Sequence, residues 1–249
     1  MSVRRLATEQ PEGFAFTPEN LDWAKMQLTK YPEGRQASAV LLLLWRAQEQ
    51  MGGWLPEPAL RYVADMLGMA YIRVYEIATF YTMFNLAPVG RYYVQLCGTT
   101  PCWLRGADGL KRVCRAMIGA PGHVTADGLF SWTEVECLGA CVNAPMVQIN
   151  KDYYEDLTPE TLEALLSGLK AGREAPPGPQ VERQTSAPLS GPTTLSDPEL
   201  YASKPRETGG GEATALTDRK AKRPGAAANV RDAVEPKPPL SDASSKKVR

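Results

Sequence analysis

The chain is poor in histidine and has no excess of either charge. Its 249 residues include one histidine, five cysteines, 28 lysines and arginines, and 28 aspartates and glutamates. A single histidine excludes metal centres that need two imidazole ligands, such as a Rieske cluster. The balanced charge gives no electrostatic indication of binding to nucleic acid or to an anionic membrane surface.

Long apolar segments are also missing. The longest apolar run, 39–45, is far shorter than the roughly 20 residues that a membrane-spanning helix needs, so it predicts a buried helix and no membrane insertion. The first residues, MSVRRLATEQPEGFAF, carry charge but no apolar stretch, which is typical of neither a secretory signal nor a clear transit peptide. We therefore expect a chain that stays in a reducing cytoplasm, where structural disulfides are rare.

Aromatic residues almost disappear after residue 172. Between 171 and 249 the chain carries 11 of its 21 prolines and a single aromatic residue, Tyr201. Such a segment buries too little apolar area to offset its conformational entropy. We expect residues 173–249 to form a tail that is disordered alone and orders at least partly on a partner. A spacer without a binding role is the alternative.

What remains before residue 86 predicts a small helical bundle, residues 1–85. Thr17, followed by Pro18 and Glu19, has the residue types that begin a helix. The range 36–51 predicts a second helix, which is apolar nearly all round at its start and should be central. Apolar residues at helical spacing predict two more helices, through Leu60, Val63, Ala64 and Leu67 and then through Val74, Ile77, Ala78 and Tyr81.

The apolar period changes over residues 86–172, which predicts a second domain. The ranges 91–97, 129–137 and 146–150 predict strands, and 152–156 a return strand or turn. One helix should follow the first strand, with Leu110, Val113, Cys114, Met117 and Ile118 on one face, and another should follow Thr158. This order indicates a thioredoxin-like α/β domain. The predicted fold class is therefore α+β: a helical bundle, a thioredoxin-like domain and a long disordered tail.

Four of the cysteines form two pairs, each directly after a predicted strand. Cys97 and Cys102 make a C-x4-C pair, Cys137 and Cys141 a C-x3-C pair, and 34 residues separate the pairs. Since two strand ends can meet in space, these thiols are candidate ligands of one metal centre. Two disulfides are the alternative, which a reducing compartment disfavours.

The cysteine spacing favours a 2Fe-2S cluster over zinc. Structural zinc sites mostly use tighter cysteine pairs and often histidine, and the one histidine, His123, falls in a Gly-rich loop away from both pairs. Looser pairs suit a cluster in which each pair binds a different iron. We expect Gly98, Gly139 and Ala140 to let backbone N–H groups approach the cluster sulfurs. A structural zinc site stays open as the alternative.

Three segments carry a resemblance to a known family: YEIATFYTMF (75–84), CGTTPCWLRG (97–106) and ECLGACVNAPMVQIN (136–150). They resemble the thioredoxin-like 2Fe-2S ferredoxin subunit of the NADH-dehydrogenase module of respiratory complex I, the NuoE family, over roughly residues 14–172. Cys97, Cys102, Cys137 and Cys141 match the family's cluster ligands. Cys114 matches none, and we expect a buried structural thiol there.

The resemblance implies an electron-transfer component of NADH:quinone oxidoreductase. It would hold one 2Fe-2S cluster and exchange single electrons with the FMN of a partner flavoprotein, which binds NADH and FMN. A large iron–sulfur subunit would be the second partner. The place of work would be the cytoplasmic side of a bacterial inner membrane, with a mitochondrial matrix less favoured because no clear transit peptide precedes the chain. This chain has no G-x-G-x-x-G motif after a strand and no complete active site of its own.

Two other interpretations share these cysteines. An equivalent subunit of an NAD-linked hydrogenase or formate dehydrogenase would have the same motifs, and so would a free-standing thioredoxin-like ferredoxin. A freely diffusing carrier has no evident use for the helical bundle, which favours a docking role. Finally, Pro145 precedes the predicted third strand at a position where thioredoxin-like folds tend to have a cis peptide bond, so we predict a cis Ala144–Pro145 bond; a trans proline that ends the loop is the alternative.

Overall fold

Before residue 81 the chain folds into α-helices. The computed structural model describes residues 4–191 and 194, and the described part of this region forms α1 (Pro18–Leu28), α2 (Val40–Gln50), α3 (Glu57–Leu67) and α4 (Tyr71–Phe80). Thr17 caps α1, because its side chain accepts a hydrogen bond from the Asn20 N–H. Gly68 ends α3 in the left-handed conformation. The four predicted helices are confirmed.

The second helix differs from its prediction in two ways. Its first turn, Gln36–Ala39, is a 3-10 turn, so the α-helix begins at Val40. Only one face of α2 is buried, since Leu42 and Trp45 are 39% and 40% exposed. The apolar run therefore packs one side into the bundle, against α3. The buried residues of this contact are Val40, Leu43, Leu44 and Ala47 from α2 and Ala59, Leu60, Val63 and Ala64 from α3.

A mixed sheet follows the helices. Among the described residues it has five strands, β1 (Tyr92–Cys97), β2 (Phe130–Val135), β3 (Val147–Ile149), β4 (Asp152–Glu155) and β5 (Gly178–Pro179), in the order β2-β1-β3-β4-β5. β1 pairs parallel with β2 and antiparallel with β3, while β4 pairs antiparallel with β3 and parallel with β5. The parallel pair places Cys97 opposite Val135, so both strands end at the same edge of the sheet.

Three helices accompany the sheet: α5 (Thr100–Leu104), α6 (Ala107–Met117) and α7 (Pro159–Lys170). The helices predicted as α6 and α7 are confirmed, and they bury Leu110, Cys114, Leu162, Leu165, Leu166 and Leu169 against the sheet. Met117 lies at the edge of the α6 stripe and stays partly exposed. Helix α5 was not predicted, because five residues show no helical period.

The chain after α7 does not leave the fold at residue 172. β5 pairs with β4, the Gln180 N–H donates to the Glu155 carbonyl oxygen at 2.9 Å, and the Tyr154 hydroxyl donates to the Ala175 carbonyl oxygen at 3.4 Å. The prediction of a disordered tail is therefore wrong for residues 175–185. Apart from Thr194, the rest of the predicted tail beyond residue 191 lies outside the described residues.

Within the described residues, none of the helices combines the length and the apolar character needed to cross a membrane.

Gly90 is packed against the backbone of β2. Its N–H donates to the Ser131 hydroxyl at 2.8 Å, and a Cβ at this position would lie 2.3 Å from the Phe130 carbonyl carbon and 2.6 Å from the Ser131 nitrogen. Because backbone atoms cannot move aside without shifting the strand, this position requires glycine.

We therefore expect Gly90→Ala to lower the free energy of unfolding by about 1–3 kcal/mol, as overpacking does. Denaturant unfolding of the full chain measures the change. Gly13→Ala is the matched control, since a Cβ there would meet nothing within 4 Å, and it should stay within about 1 kcal/mol of the unchanged chain. Equal stabilities of the two variants would contradict the close packing.

Candidate metal centre

The four paired cysteines lie at one edge of the sheet. Cys97 is the last residue of β1, Cys102 lies in α5, Cys137 follows β2 by two residues, and Cys141 begins the 3-10 turn Cys141–Asn143. Cys97 and Cys102 are only 2% and 1% exposed, whereas Cys137 is exposed and Cys141 partly so. One pair therefore forms the buried floor of the site and the other its outer wall.

Backbone and hydroxyl donors surround the sulfur atoms. The Cys137 and Cys141 sulfurs are 3.5 Å apart, and the Gly139 N–H donates to the Cys137 sulfur at 3.4 Å. The Cys97 sulfur lies 3.3 Å from the Thr99 hydroxyl and also accepts from the Leu138 amide. A second amide, that of Met146, donates to the Cys102 sulfur. Thiolate charge in this site is thus met by fixed donors.

Gly98 has a different role from the predicted one. Its N–H donates to the Val135 carbonyl oxygen at 3.3 Å, as part of the sheet, and does not point at a sulfur. A Cβ at this position would lie 1.9 Å from a carboxylate oxygen of Glu134. That carboxylate is held 2.8 Å from the Lys111 ammonium nitrogen. Gly98 is therefore needed to make room for the Glu134–Lys111 ion pair, which joins β2 to α6.

The thiols differ in how readily they ionise. Burial raises the pKa of Cys97, but hydrogen bonds from Thr99, Leu138 and Cys102 outweigh it, and the net pKa is lowered. Burial raises the pKa of Cys102 to about 12, with further contributions from the neighbouring Cys97. The hydrogen bond with Cys137 and then burial raise the pKa of Cys141. A second and third thiolate here need a positive centre close by, as a bound metal provides.

The arrangement of the thiols fits a two-iron group. In residues 4–191 no three His, Cys, Asp or Glu side chains are placed to hold one metal ion together. The thiols instead form two pairs, Cys97 with Cys102 and Cys137 with Cys141, and Cys102 and Cys97 are close enough to Cys141 to influence its charge. A 2Fe-2S cluster has two irons, each bound by two thiolates. The side chains present therefore fit this cluster.

The remaining predictions for this region hold. Cys114 is fully buried on α6 among apolar residues, and burial raises its pKa to about 12. All five cysteines are free thiols. His123 is exposed in its loop. The Ala144–Pro145 peptide bond is cis, as predicted.

Sequence reasoning missed the polar contacts behind the outer cysteine loop. Asn143, two residues after Cys141, is buried and contacts Glu155, Thr185 and Arg183. No motif marks these residues, since they are ordinary polar side chains up to 42 positions apart. Exposed apolar side chains also flank the site, Trp103 and Leu104 beside Cys102 and Val142 beside Cys141.

Comparison with known proteins gives the same assignment. The profile of the thioredoxin-like 2Fe-2S ferredoxin family matches residues 24–170, which include both the helices and the sheet. The first of two E subunits of NADH-quinone oxidoreductase in Rhizobium meliloti is 58% identical over 210 residues, which cover 82% of this chain and 76% of the relative. The E subunit of NADH-quinone oxidoreductase from Rickettsia bellii is 57% identical over 158 residues, 63% of this chain and 95% of the relative.

Among solved structures, an NAD+-reducing NiFe-hydrogenase aligns with 55% of this chain and 23% of its own chain at 23% identity and a TM-score of 0.48, too low to bear on function. The family profile and the two curated relatives agree with the cysteine spacing and with the arrangement of the thiols. The chain belongs to the thioredoxin-like 2Fe-2S ferredoxin family.

Proposed function

We propose that this chain is the 2Fe-2S electron-transfer component of an NADH:quinone oxidoreductase, respiratory complex I, and that Cys97, Cys102, Cys137 and Cys141 bind the cluster. The observation that carries the proposal is the meeting of the two cysteine pairs at the shared end of β1 and β2. Relatives at 54–58% identity that are named as the E subunit of this oxidoreductase support the choice of complex over an NAD-linked hydrogenase or formate dehydrogenase.

The residues of this chain bind the cluster and set its surroundings. When bound, a 2Fe-2S cluster takes up and returns one electron at a time. Burial of Cys97 and Cys102 keeps water away from one side of the site. Amides of Leu138 and Gly139 donate to the sulfurs of Cys97 and Cys137, which stabilises negative charge on the thiolates. Hydride transfer from NADH needs a two-electron acceptor such as a flavin, so we assign the oxidation of NADH to the partner.

The outer face of the site is where we place the partner. Cys137 is exposed, and the apolar side chains of Trp103, Leu104 and Val142 around the site face solvent. Exposed apolar side chains beside a cofactor site are typical of a binding surface. We propose that the flavoprotein subunit, which binds FMN and NADH, covers this face. The large iron–sulfur subunit is the second proposed partner, and the cytoplasmic side of the inner membrane the proposed location.

Reduction by NADH tests the proposal. In the isolated chain, dithionite should reduce the cluster and NADH should not, because the proposal places the flavin in the partner. Addition of the flavoprotein subunit should make NADH an effective reductant, seen as the EPR signal of the reduced cluster. A Trp103→Glu/Val142→Glu variant, which places charge on the proposed partner face, should slow this reduction while dithionite still works.

Two results would contradict the proposed function. One is reduction of the isolated chain by NADH at the rate seen with the flavoprotein. The other is a native chain that runs alone in cell extracts and is never recovered with a flavoprotein, which would favour a free-standing ferredoxin.

A further inference from the structure

A buried ion pair connects the segment after α7 to the end of β4. The Arg183 Nε lies 3.3 Å from an Asp156 carboxylate oxygen, and the two side chains are only 8% and 7% exposed. These two atoms are within ion-pair distance, yet neither has a partner in hydrogen-bond geometry. The pair is therefore held by charge, and the directional contact of Arg183 goes elsewhere.

That directional contact is made with the loop that carries Cys141. The Arg183 Nη1 donates to the Asn143 side-chain oxygen at 2.5 Å. The Asn143 side-chain nitrogen donates to a Glu155 carboxylate oxygen at 2.5 Å and to the Thr185 carbonyl oxygen at 3.0 Å. Both ends of the amide are thus satisfied by residues from β4 and from the segment after α7.

The backbone of Asn143 is fixed by the same surroundings. Its N–H donates to the Ala140 carbonyl oxygen at 3.0 Å, and its carbonyl oxygen accepts from the Asp156 N–H at 2.7 Å. Asn143 is 2% exposed, whereas Val142, its neighbour, is 69% exposed. The outer cysteine loop is thus held from behind, at Asn143, and is open to solvent in front.

Loss of Arg183 would leave two groups without partners in this buried place. The Asp156 carboxylate would lose its counter-charge, and the Asn143 oxygen would lose its donor, both of which are unfavourable away from water. The groups can regain water only if the loop moves outward. Since Cys141 lies two residues before Asn143, that movement changes the position of its sulfur.

We propose that residues 175–185 form a strap that holds the Cys141 loop in place, and that Arg183 is the positioning residue of this strap. The strap attaches to the sheet through β5 and the Gln180–Glu155 hydrogen bond, and to the loop through Arg183 and the Thr185 carbonyl oxygen. Its effect on a cluster rests on the proposed function, in which Cys141 is a ligand. Its effect on the loop itself does not.

The test compares Arg183→Gln with Arg173→Gln in the full-length, cluster-containing protein. Arg173 is the matched control because it lies just before the strap and is exposed. Hydrogen exchange of the amides at 138–144 and the EPR spectrum and midpoint potential of the cluster are measured. We expect Arg183→Gln to speed exchange of these amides by about tenfold or more, the size of a local opening. It should also shift the spectrum and the potential, and Arg173→Gln should change none of these.

Arg183→Lys keeps the test decisive if Arg183→Gln does not fold. Lysine retains a cation opposite Asp156 but cannot reproduce the forked contact that also reaches Asn143. We expect a folded protein with exchange at 138–144 faster than in the unchanged chain. Unchanged exchange in both Arg183 variants would overturn the strap.

Chain shortening supplies a second comparison. A chain that ends at Gly191 keeps the strap and should match the full chain in exchange and spectrum, whereas a chain that ends at Gly172 should behave as Arg183→Gln does. Identical behaviour of the two shortened chains would also overturn the strap. If the unchanged protein shows no 2Fe-2S signal but exchange at 138–144 still depends on Arg183, the proposed function fails and the strap stands.

Discussion

Cys102→Ser is expected to abolish the EPR signal of the reduced cluster. Cys102 is 1% exposed, and Met146 donates its amide to the sulfur. With so little solvent access, no water can take the place of a lost thiolate, and serine is a poorer ligand for the soft irons of a 2Fe-2S cluster. Iron content of the purified variant should fall with the signal. The measurement is EPR of the anaerobic, dithionite-reduced protein together with iron analysis.

The other three candidate ligands should respond in the order of their burial. Cys97→Ser should resemble Cys102→Ser, since both residues form the buried floor of the site. Cys137→Ser and Cys141→Ser affect the open side, so an altered signal with partial iron content is expected there. Cys114→Ser is the control: a buried hydroxyl should lower stability by about 1–3 kcal/mol and leave the spectrum unchanged. Loss of signal in Cys114→Ser, with unchanged spectra in the four others, would contradict the ligand assignment.

Trp132→Ala is expected to lower the free energy of unfolding by about 3–5 kcal/mol, as large-to-small changes of a buried tryptophan do. Trp132 lies in β2 and is fully buried against α6 and the sheet core. Its indole N–H donates to the Gly119 carbonyl oxygen at 2.8 Å. Truncation therefore leaves both a cavity and a carbonyl without its donor. Denaturant unfolding at constant cluster loading measures the loss.

Trp103→Ala is the matched control for this change. Trp103 is exposed, and its N–H contacts the exposed Asp108 at 2.9 Å. Removal of this side chain should cost less than about 1 kcal/mol. A Trp132→Phe variant separates the two effects, because it keeps most of the volume and loses only the hydrogen bond. If Trp103→Ala and Trp132→Ala were equally destabilising, the assignment of Trp132 to the core would be wrong.

The helices and the cysteine site were predictable because their signals are local. Thr17 with Pro18 and Gly68 mark helix ends, and apolar residues at helical spacing mark the buried faces of α3 and α7. The spacing of the two cysteine pairs after two strands predicts their meeting, since parallel strands end at one edge of a sheet. Each of these signals lies within a few residues of the feature that it predicts.

The strap could not be predicted because its contacts join distant polar residues. β5 has two residues, too few to show an alternating pattern. Arg183 lies 40 positions from Asn143, and an arginine in a Pro-rich segment is normally a solvated charge. Composition therefore predicted disorder from residue 173. The low apolar content is correct, but a buried ion pair and hydrogen bonds to Asn143 hold the first part of the segment.

The role of Gly98 shows the same limit on a smaller scale. A glycine beside a cysteine predicts space for an amide to reach a metal-bound sulfur, and Gly139 does serve in this way. At Gly98 the space is used by the Glu134 carboxylate instead. Sequence cannot distinguish these uses, because the neighbour that fills the space comes from another strand.

Metal analysis combined with EPR decides whether the four cysteines hold a 2Fe-2S cluster. The full-length protein is purified without oxygen, its iron, acid-labile sulfide and zinc are measured, and the same sample is reduced with dithionite. We expect about two irons and two sulfides per chain, no stoichiometric zinc, and an EPR signal of a reduced 2Fe-2S cluster that is lost in Cys102→Ser. One zinc per chain without iron, or an iron–sulfur signal that survives the loss of Cys102, would contradict this assignment.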